Sequence, residues 1–418
     1  MFTQTKLRTG LIVAVAVETL CATYCLKIPQ FSPLYSIVHF SAGVCIAILI
    51  LFFPPACLPR LKYAKFHTGR TYIKILIAGI MGFATYHLSR YWMDSIPLDI
   101  DYADMLPVIR VMDQRLLEGH WRQVYDNIPE IWGGTNPIYL PAMWLPFTLS
   151  ILLHFDMRWI AVGGLFFAFV SFLFLLEPIK NKILFLLVLL IGLILYSWLH
   201  TEEVHNFISM TEEGVVVAYY VLLVLALSSN NIYFIAVAAS LCLLSRYALI
   251  GWIPAFICYL FLNKNRKQAL IFTGTGVACL LFLFIVPFGW EPFSRLLKFP
   301  GHYVDYARLV WEKSPEFFYE SLGFAKFFGP GNVAFLHTIL ILISFLVPFL
   351  FMIFCFYKSK KQSISNIPLA VLKISVVVFY GFIDVPYLYL FYTSSFISLI
   401  ILSLLIVEDK PAQAQQPI

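Results

Sequence analysis

Continuous apolar runs such as Ile183 to Leu195 and Val215 to Leu227 constrain this chain more than any other feature. Lipid offers no water to backbone N–H and C=O groups, so a membrane-crossing segment must bond to itself as a helix or close into a barrel. Barrel strands need alternating polar and apolar residues, and that alternation is absent here. The rest of the chain agrees: 61% of its 418 residues are hydrophobic and 12% charged, where soluble domains carry roughly 25% charged residues. The expected fold class is therefore all-α, a polytopic transmembrane helical bundle with juxtamembrane helices in its external loops. Apolar runs fall at 11–26, 34–53, 71–92, 138–154, 159–176, 183–199, 214–228, 231–246, 248–262, 270–288, 331–357, 367–383 and 386–407. At roughly 20 residues per crossing they amount to about 12 spans.

The net charge of +6 gathers in short connections: Arg60, Lys62, Lys65, Arg70 and Lys74; Lys264, Arg266 and Lys267; Lys358, Lys360 and Lys361. That distribution fits the positive-inside rule rather than nucleic-acid binding. With Lys6 and Arg8 in the cytoplasm, the third helix ends outside and delivers the acidic stretch after it to the external face. The same count places Lys264 to Lys267 outside, which the rule rejects, so one candidate between 138 and 262 does not span fully. The suspects are 138–154, interrupted by Pro137, Pro141 and Pro146, and 183–228, where His200 to Glu213 reads as a re-entrant hairpin. The eight cysteines show no metal or disulfide spacing. The N-terminus has no small-residue cleavage site after its apolar run, so it reads as a first membrane helix. No Walker loop, GxGxxG or HExxH is present, which counts against ATP-driven pumps and metalloproteases. The expected organisation is an N-terminal hairpin (1–70), a catalytic module (71–262) with external loop 94–137, a C-terminal membrane module (263–407) with external loop 288–330, and a disordered tail (408–418). The expected location is a bacterial inner (plasma) membrane, crossed many times, with the active site on the external face.

Asp94 to Pro141 is the first long polar interruption, with eight acids (Asp94, Asp99, Asp101, Asp104, Asp113, Glu118, Asp126, Glu130) against three arginines. Leu106, Ile109, Met112 and Leu116 are spaced as one helix face ending near Gly119, and Pro107 is tolerable only in a first turn, so the helix starts close to Asp104. Capping that helix start is one use for Asp104. General-base work is the other: a partly desolvated carboxylate takes the proton of an acceptor hydroxyl as its oxygen attacks an activated carbon. Arg246, between two apolar runs, suits a departing phosphate because its planar fork donates two hydrogen bonds and keeps its charge. Snorkelling to lipid headgroups is its plainer use. His200 to Asn206 and Thr211 to Gly214 form a further acidic segment carrying His205, Glu212 and Glu213. The loop 288–330 is rich in aromatics and carries His302; it reads as interfacial helices. Tyr139, Trp132 and Tyr387 are candidate sugar contacts that could equally anchor at the interface. Asp384, before Val385 and Pro386, could cap a turn.

One stretch resembles a known family. Asp104, Arg110, Leu116-Leu117-Glu118-Gly119, Val124-Tyr125-Asp126, then Asn136 to Pro141 leading to Leu145-Pro146-Phe147, is similar to the first external loop of GT-C membrane glycosyltransferases, most of all glycosyltransferase family 87. The likeness is specific in order and spacing over this stretch and diffuse elsewhere. It implies a GT-C fold and inverting transfer of a sugar, mannose or another hexose, from a polyprenyl-phosphate donor to a glycolipid or glycan hydroxyl. Carried over by residue, the catalytic Asp falls on Asp104, with Asp101 next. From their placement near the outer face, Arg246, His205 and His302 are the candidates for the donor phosphate, and Asp99, Tyr139, Glu212, Glu213, Trp132 and Tyr387 those for substrate. Arg246 stands where such enzymes often have Lys, and Glu212-Glu213-Gly214 replaces a usual Gly-Gln-x-Asn. No cofactor is expected. Asp99-x-Asp101 resembles a metal-binding DxD, yet a monophosphate donor lacks the diphosphate such a metal bridges. Two rivals stand beside this reading. A secondary transporter or flippase would line a path with these charges, although transporters place charge at mid-membrane. A polymerase or ligase of lipid-linked glycans usually carries its long loop late in the chain.

Overall fold

The computed structural model describes residues 4–25, 27–56, 69–103, 105–131, 133–176, 182–202, 204 and 209–406, without the side chains of 69, 70, 299, 300 and 302. Among them helix is the only regular secondary structure, apart from one antiparallel bridge between Ile128 and Thr135. Six helices are long and apolar enough to cross a membrane: α1 (Gln4–Tyr24), α2 (Ser32–Ile50), α3 (Gly69–Ser95), α6 (Arg158–Leu175), α11 (Arg266–Phe288) and α13 (Val333–Ser359). Seven shorter apolar helices lie among them: α5 (Pro141–Leu152), α7 (Lys182–Trp198), α8 (Glu213–Ser229), α9 (Ile232–Leu243), α10 (Trp252–Leu262), α14 (Ile367–Gly381) and α15 (Tyr389–Leu405). Two more, α4 (Met105–Leu117) and α12 (Trp290–Lys313), occupy the two long loops.

Local chemistry explains where several of these helices stop. Between α8 and α9 the chain reverses through Asn230 in the left-handed region, and the Asn231 side chain caps α9 by accepting from Tyr233 and Phe234 N–H at 3.1 and 3.2 Å. In α11 the backbone widens to a π turn over Leu281–Ile285, just ahead of Pro287, whose ring cannot follow a regular turn.

Antiparallel neighbours fix the directions. Along α3 and α6, Lys74 Nζ donates to the Phe174 carbonyl at 3.0 Å, Gly82 faces the Phe166 ring, and Arg158 donates to the carbonyls of Ile96 (2.7 Å) and Met93 (3.0 Å). The end of α3 and the start of α6 therefore share one end of the bundle. The stretch between them, which contains α5, one of the two suspects, therefore leaves from and returns to that same end. At that same end the Trp92 indole donates to the His200 carbonyl, and Ser32 donates to the Ser321 carbonyl of the second loop. At the opposite end Asn366 bonds the carbonyls of Ile50, Phe53 and Pro54. Helix α15 is the axis of the assembly, buried continuously from Leu390 to Leu405, whereas α3 lies at the rim with 6% of its apolar window buried.

Candidate functional site

The acidic loop is ordered around α4, which begins at Met105, directly after Asp104, with Pro107 in its first turn. Leu106, Ile109 and Met112 are buried on the face that the spacing predicts. The helix ends through Gly119 at φ +83°, a left-handed position open to glycine, and the His120 N–H returns to the Arg115 carbonyl at 2.9 Å. From the last turn the Arg115 guanidinium donates to the carbonyls of Gln123, Asp126 and Asn127 at 3.1, 2.7 and 2.9 Å, pinning the loop that follows. Tyr125 then anchors it: the hydroxyl donates to the Tyr139 carbonyl (3.1 Å) and accepts from the Trp144 indole (3.0 Å).

Three segments converge on the break between α9 and α10. Ala142 N–H at the start of α5 donates to the Leu244 carbonyl (3.1 Å), the Tyr247 hydroxyl donates to the Leu296 carbonyl of α12 (3.2 Å), and Arg295 of α12 donates to the Tyr125 carbonyl (2.6 Å). Between Leu244 and Tyr247 stands Arg246, in extended conformation. Its Nη2 donates to Glu212 Oε1 at 2.7 Å and to Glu213 Oε2 at 2.6 Å, and Thr393 of α15 donates to Glu213 Oε1 at 2.7 Å. The two glutamates are 1% and 0% exposed and the arginine 20%. Glu212 Oε2 and Arg246 Nε are buried without partners, and Nη1 makes no hydrogen bond among the described residues. A tight crossing holds the acids there: a Cβ on Gly214 would sit 2.0 Å from the Ala161 carbonyl oxygen, and one on Gly164 would sit 2.2 Å from that of Gly214. Tyr220, Tyr380 and Tyr389 ring the cluster closely enough to feel its charges. The Tyr389 hydroxyl also meets Met105 Sδ at 3.5 Å, so the first residue of α4 reaches this site.

The structure thus joins Arg246, Glu212 and Glu213, three residues singled out separately in the sequence, but gives Arg246 two carboxylate partners rather than an open guanidinium. Asp99 and Asp101 are exposed, with Asp99 Oδ1 accepting the Asp101 N–H at 3.4 Å. Asp104, Trp132 and His205 lie outside the described residues, and of His302 only its place within α12 is described. Tyr139 is half-buried beneath Tyr125, and Tyr387 is half-buried with its hydroxyl 2.8 Å from that of Tyr306. Enclosure in this aromatic group, with Tyr306 second, pushes the Tyr387 phenol well above its ordinary range.

Three groups prove to be buried charges that the sequence did not mark as such. Deep between α1, α14 and α15, Glu18 and Lys373 form a 2.5 Å ion pair at 0% exposure; Ser394 and Ser398 donate to the carboxylate at 2.8 and 2.5 Å, and His39 stands 3.9 Å away. Their signal was plain: ionisable residues inside apolar runs are expensive and seek partners. Asp113, on the inner face of α4, is fully buried with neither oxygen partnered, and burial pushes its carboxyl up to about 9. His337 and Asp384 pair at 2.6 Å. Two apolar grooves of about 300 and 380 Å³ lie along α1 and α2, the first lined by Leu20, Tyr24 and Tyr35, the second by Phe40, Val44 and Ile48. Among the described residues no three His, Cys, Asp or Glu side chains gather as for a metal. Compared with known proteins, the chain matches no family model, no curated protein and no solved structure.

Proposed function

We propose that this chain is an integral-membrane glycosyltransferase that moves a hexose from a polyprenyl-phosphate donor to a hydroxyl of a glycolipid or glycan. One observation carries the reading: the Tyr389 hydroxyl on Met105 links the acidic loop to the buried cluster of Arg246, Glu212 and Glu213. The first residue of α4 and the guanidinium cluster thereby share one end of the bundle. A sugar acceptor needs a proton taken and a phosphate needs charge received, and this end offers both kinds of group. The clamped Nη2 fixes the Arg246 plane, leaving Nη1 to meet a phosphate oxygen. Grooves along α1 and α2 give isoprenoid chains apolar surface to lie against.

With α5 turned back, the other twelve apolar helices alternate direction. Lys264 to Lys267 then fall on the same side as Lys6, Arg8 and Lys358 to Lys361, as the positive-inside rule requires. The site falls on the opposite, external side. A GT-C type of arrangement accommodates this count.

The Glu18 and Lys373 pair favours a second reading, a transporter or flippase of a lipid-linked glycan, because it sets charge near mid-bundle. Purified protein in liposomes separates the two. A transferase releases polyprenyl phosphate from short-chain polyprenyl-phosphate hexoses when acceptor glycolipid is present. A flippase instead moves a fluorescent lipid-linked glycan between leaflets and releases nothing. Loss of a charge-assisted hydrogen bond of about 1.5–3 kcal/mol predicts that Arg246→Ala raises the donor KM by roughly 10- to 100-fold. An unchanged KM removes Arg246 from the phosphate site.

A further inference from the structure

His337 stands in the second turn of α13, and its Nδ1 lies 2.6 Å from Asp384 Oδ2 in the loop between α14 and α15. Asp384 is 2% exposed, and its Oδ1 is buried without a partner, so the carboxylate is committed to the imidazole. A carboxylate can only accept, so Nδ1 donates to Asp384, and in the neutral ring Nε2 is then the acceptor nitrogen. The His337 side chain is 12% exposed, and Nε2 makes no hydrogen bond among the described residues. The result is an imidazole held in orientation by a buried carboxylate, with Nε2 left unbonded among the described residues, an arrangement that acid–base catalysis reuses on unrelated folds.

Its position ties it to the site described above. The loop that carries Asp384 runs straight into Tyr387 and Tyr389, whose rings stack at 5.6 Å with an interplanar angle of 11°. Tyr387 packs, with Val385, against Val333 and Leu336 of the helix that bears His337, while Tyr389 reaches Met105 and the Arg246 cluster. The dyad thus belongs to the Tyr387 side of the stack and the guanidinium to the Tyr389 side.

We propose that His337, held by Asp384, is the general base that activates the acceptor hydroxyl; this rests on the transferase reading and assigns its proton acceptor. Asp101 is the poorer choice because its carboxylate stands in open water, where an aspartate is a weak base toward an alcohol. In the step, Nε2 takes the hydroxyl proton as the acceptor oxygen forms its bond to the anomeric carbon. The bond from that carbon to the phosphate oxygen breaks, and its electron pair leaves with the phosphate toward Arg246. Asp384 balances the imidazolium until water takes the proton away. His337 is the catalytic residue and Asp384 positions it.

Steady-state transfer by the full-length protein, with a panel of polyprenyl-phosphate hexoses, tests the assignment. His337→Ala should lower kcat by roughly 10²- to 10⁴-fold with little change in either KM, and added imidazole should restore part of the rate. Asp384→Asn should lower kcat without rescue by imidazole, since the ring is present but misheld. Thr338→Ala, in the same turn but facing outward, should match wild type, and His337→Gln replaces the alanine variant should that one fail to fold. Wild-type protein inert with every donor sinks the transferase reading and the base with it. Active wild type with an undiminished His337→Ala sinks the base alone, as does a loss that imidazole leaves untouched. Loss of kcat in Asp104→Asn with His337→Ala unaffected returns the role to the acidic loop.

Discussion

Asp113 gives the sharpest test of the packing beneath the acidic loop. Its carboxyl lies on the buried face of α4 with neither oxygen bonded, and burial raises it from 3.8 to about 9. The folded chain therefore keeps the proton up to about pH 9, while the unfolded chain loses it near pH 4. Between those limits the unfolded state binds fewer protons, so stability falls as pH rises. At pH 7 the accumulated cost is about 4 kcal/mol, taking 1.36 kcal/mol per pH unit above the unfolded value. Asp113→Asn keeps the shape and removes the titration. Thermal unfolding in detergent, followed from pH 5 to pH 8.5, should show the wild-type midpoint falling relative to the variant by a steadily widening margin. The buried amide that Asp113→Asn introduces has its own unmet hydrogen bonds, costing about 1–3 kcal/mol, so the slope is the decisive quantity. Parallel curves for the two proteins would refute the idea that this carboxyl is buried and unpartnered.

Two further perturbations probe the bundle. Lys373→Met strands the Glu18 carboxylate at 0% exposure and should destabilise by about 3–5 kcal/mol, whereas the Glu18→Gln, Lys373→Met double variant should recover most of the loss; a melting-temperature cycle with no coupling would mean the two do not pair. Gly214→Ala drives a methyl into the Ala161 carbonyl and should cost about 1–3 kcal/mol by prising α8 from α6, shifting Glu213 away from Arg246; an unchanged melting curve and donor KM would contradict that crossing.

Local features were the readable ones. Every apolar run named from the sequence coincides with a helix, and α4 starts after Asp104 and ends at Gly119 because Pro107, the apolar spacing and the glycine are signals carried by neighbouring residues. The charge count predicts that one segment between 138 and 262 does not span fully, and the contacts of Arg158 with Met93 and Ile96 put both ends of the stretch that contains α5 at one end of the bundle. Partnerships across long separations were not readable. Glu212, Glu213 and Arg246 could each be picked out for their charge, but nothing in the order of residues says that one nitrogen serves both acids or that Thr393 supports the arrangement. Glu18 and Lys373 were overlooked for the same reason: each is a lone charge in an apolar run until the fold brings them together. Asp113 was counted among the loop acids, because spacing alone does not distinguish a carboxyl turned inward from one turned to water.

The pairing of Glu18 with Lys373 also dictates an order of events during synthesis. These partners are 355 residues apart, and the serines that complete the carboxylate's shell come later still, on α15. At roughly 5–20 residues per second the first helix waits tens of seconds for its counter-charge to be made. Until then the N-terminal hairpin carries an acid with only His39 beside it, and a chain truncated before residue 373 should be held by insertion chaperones or degraded rather than accumulate.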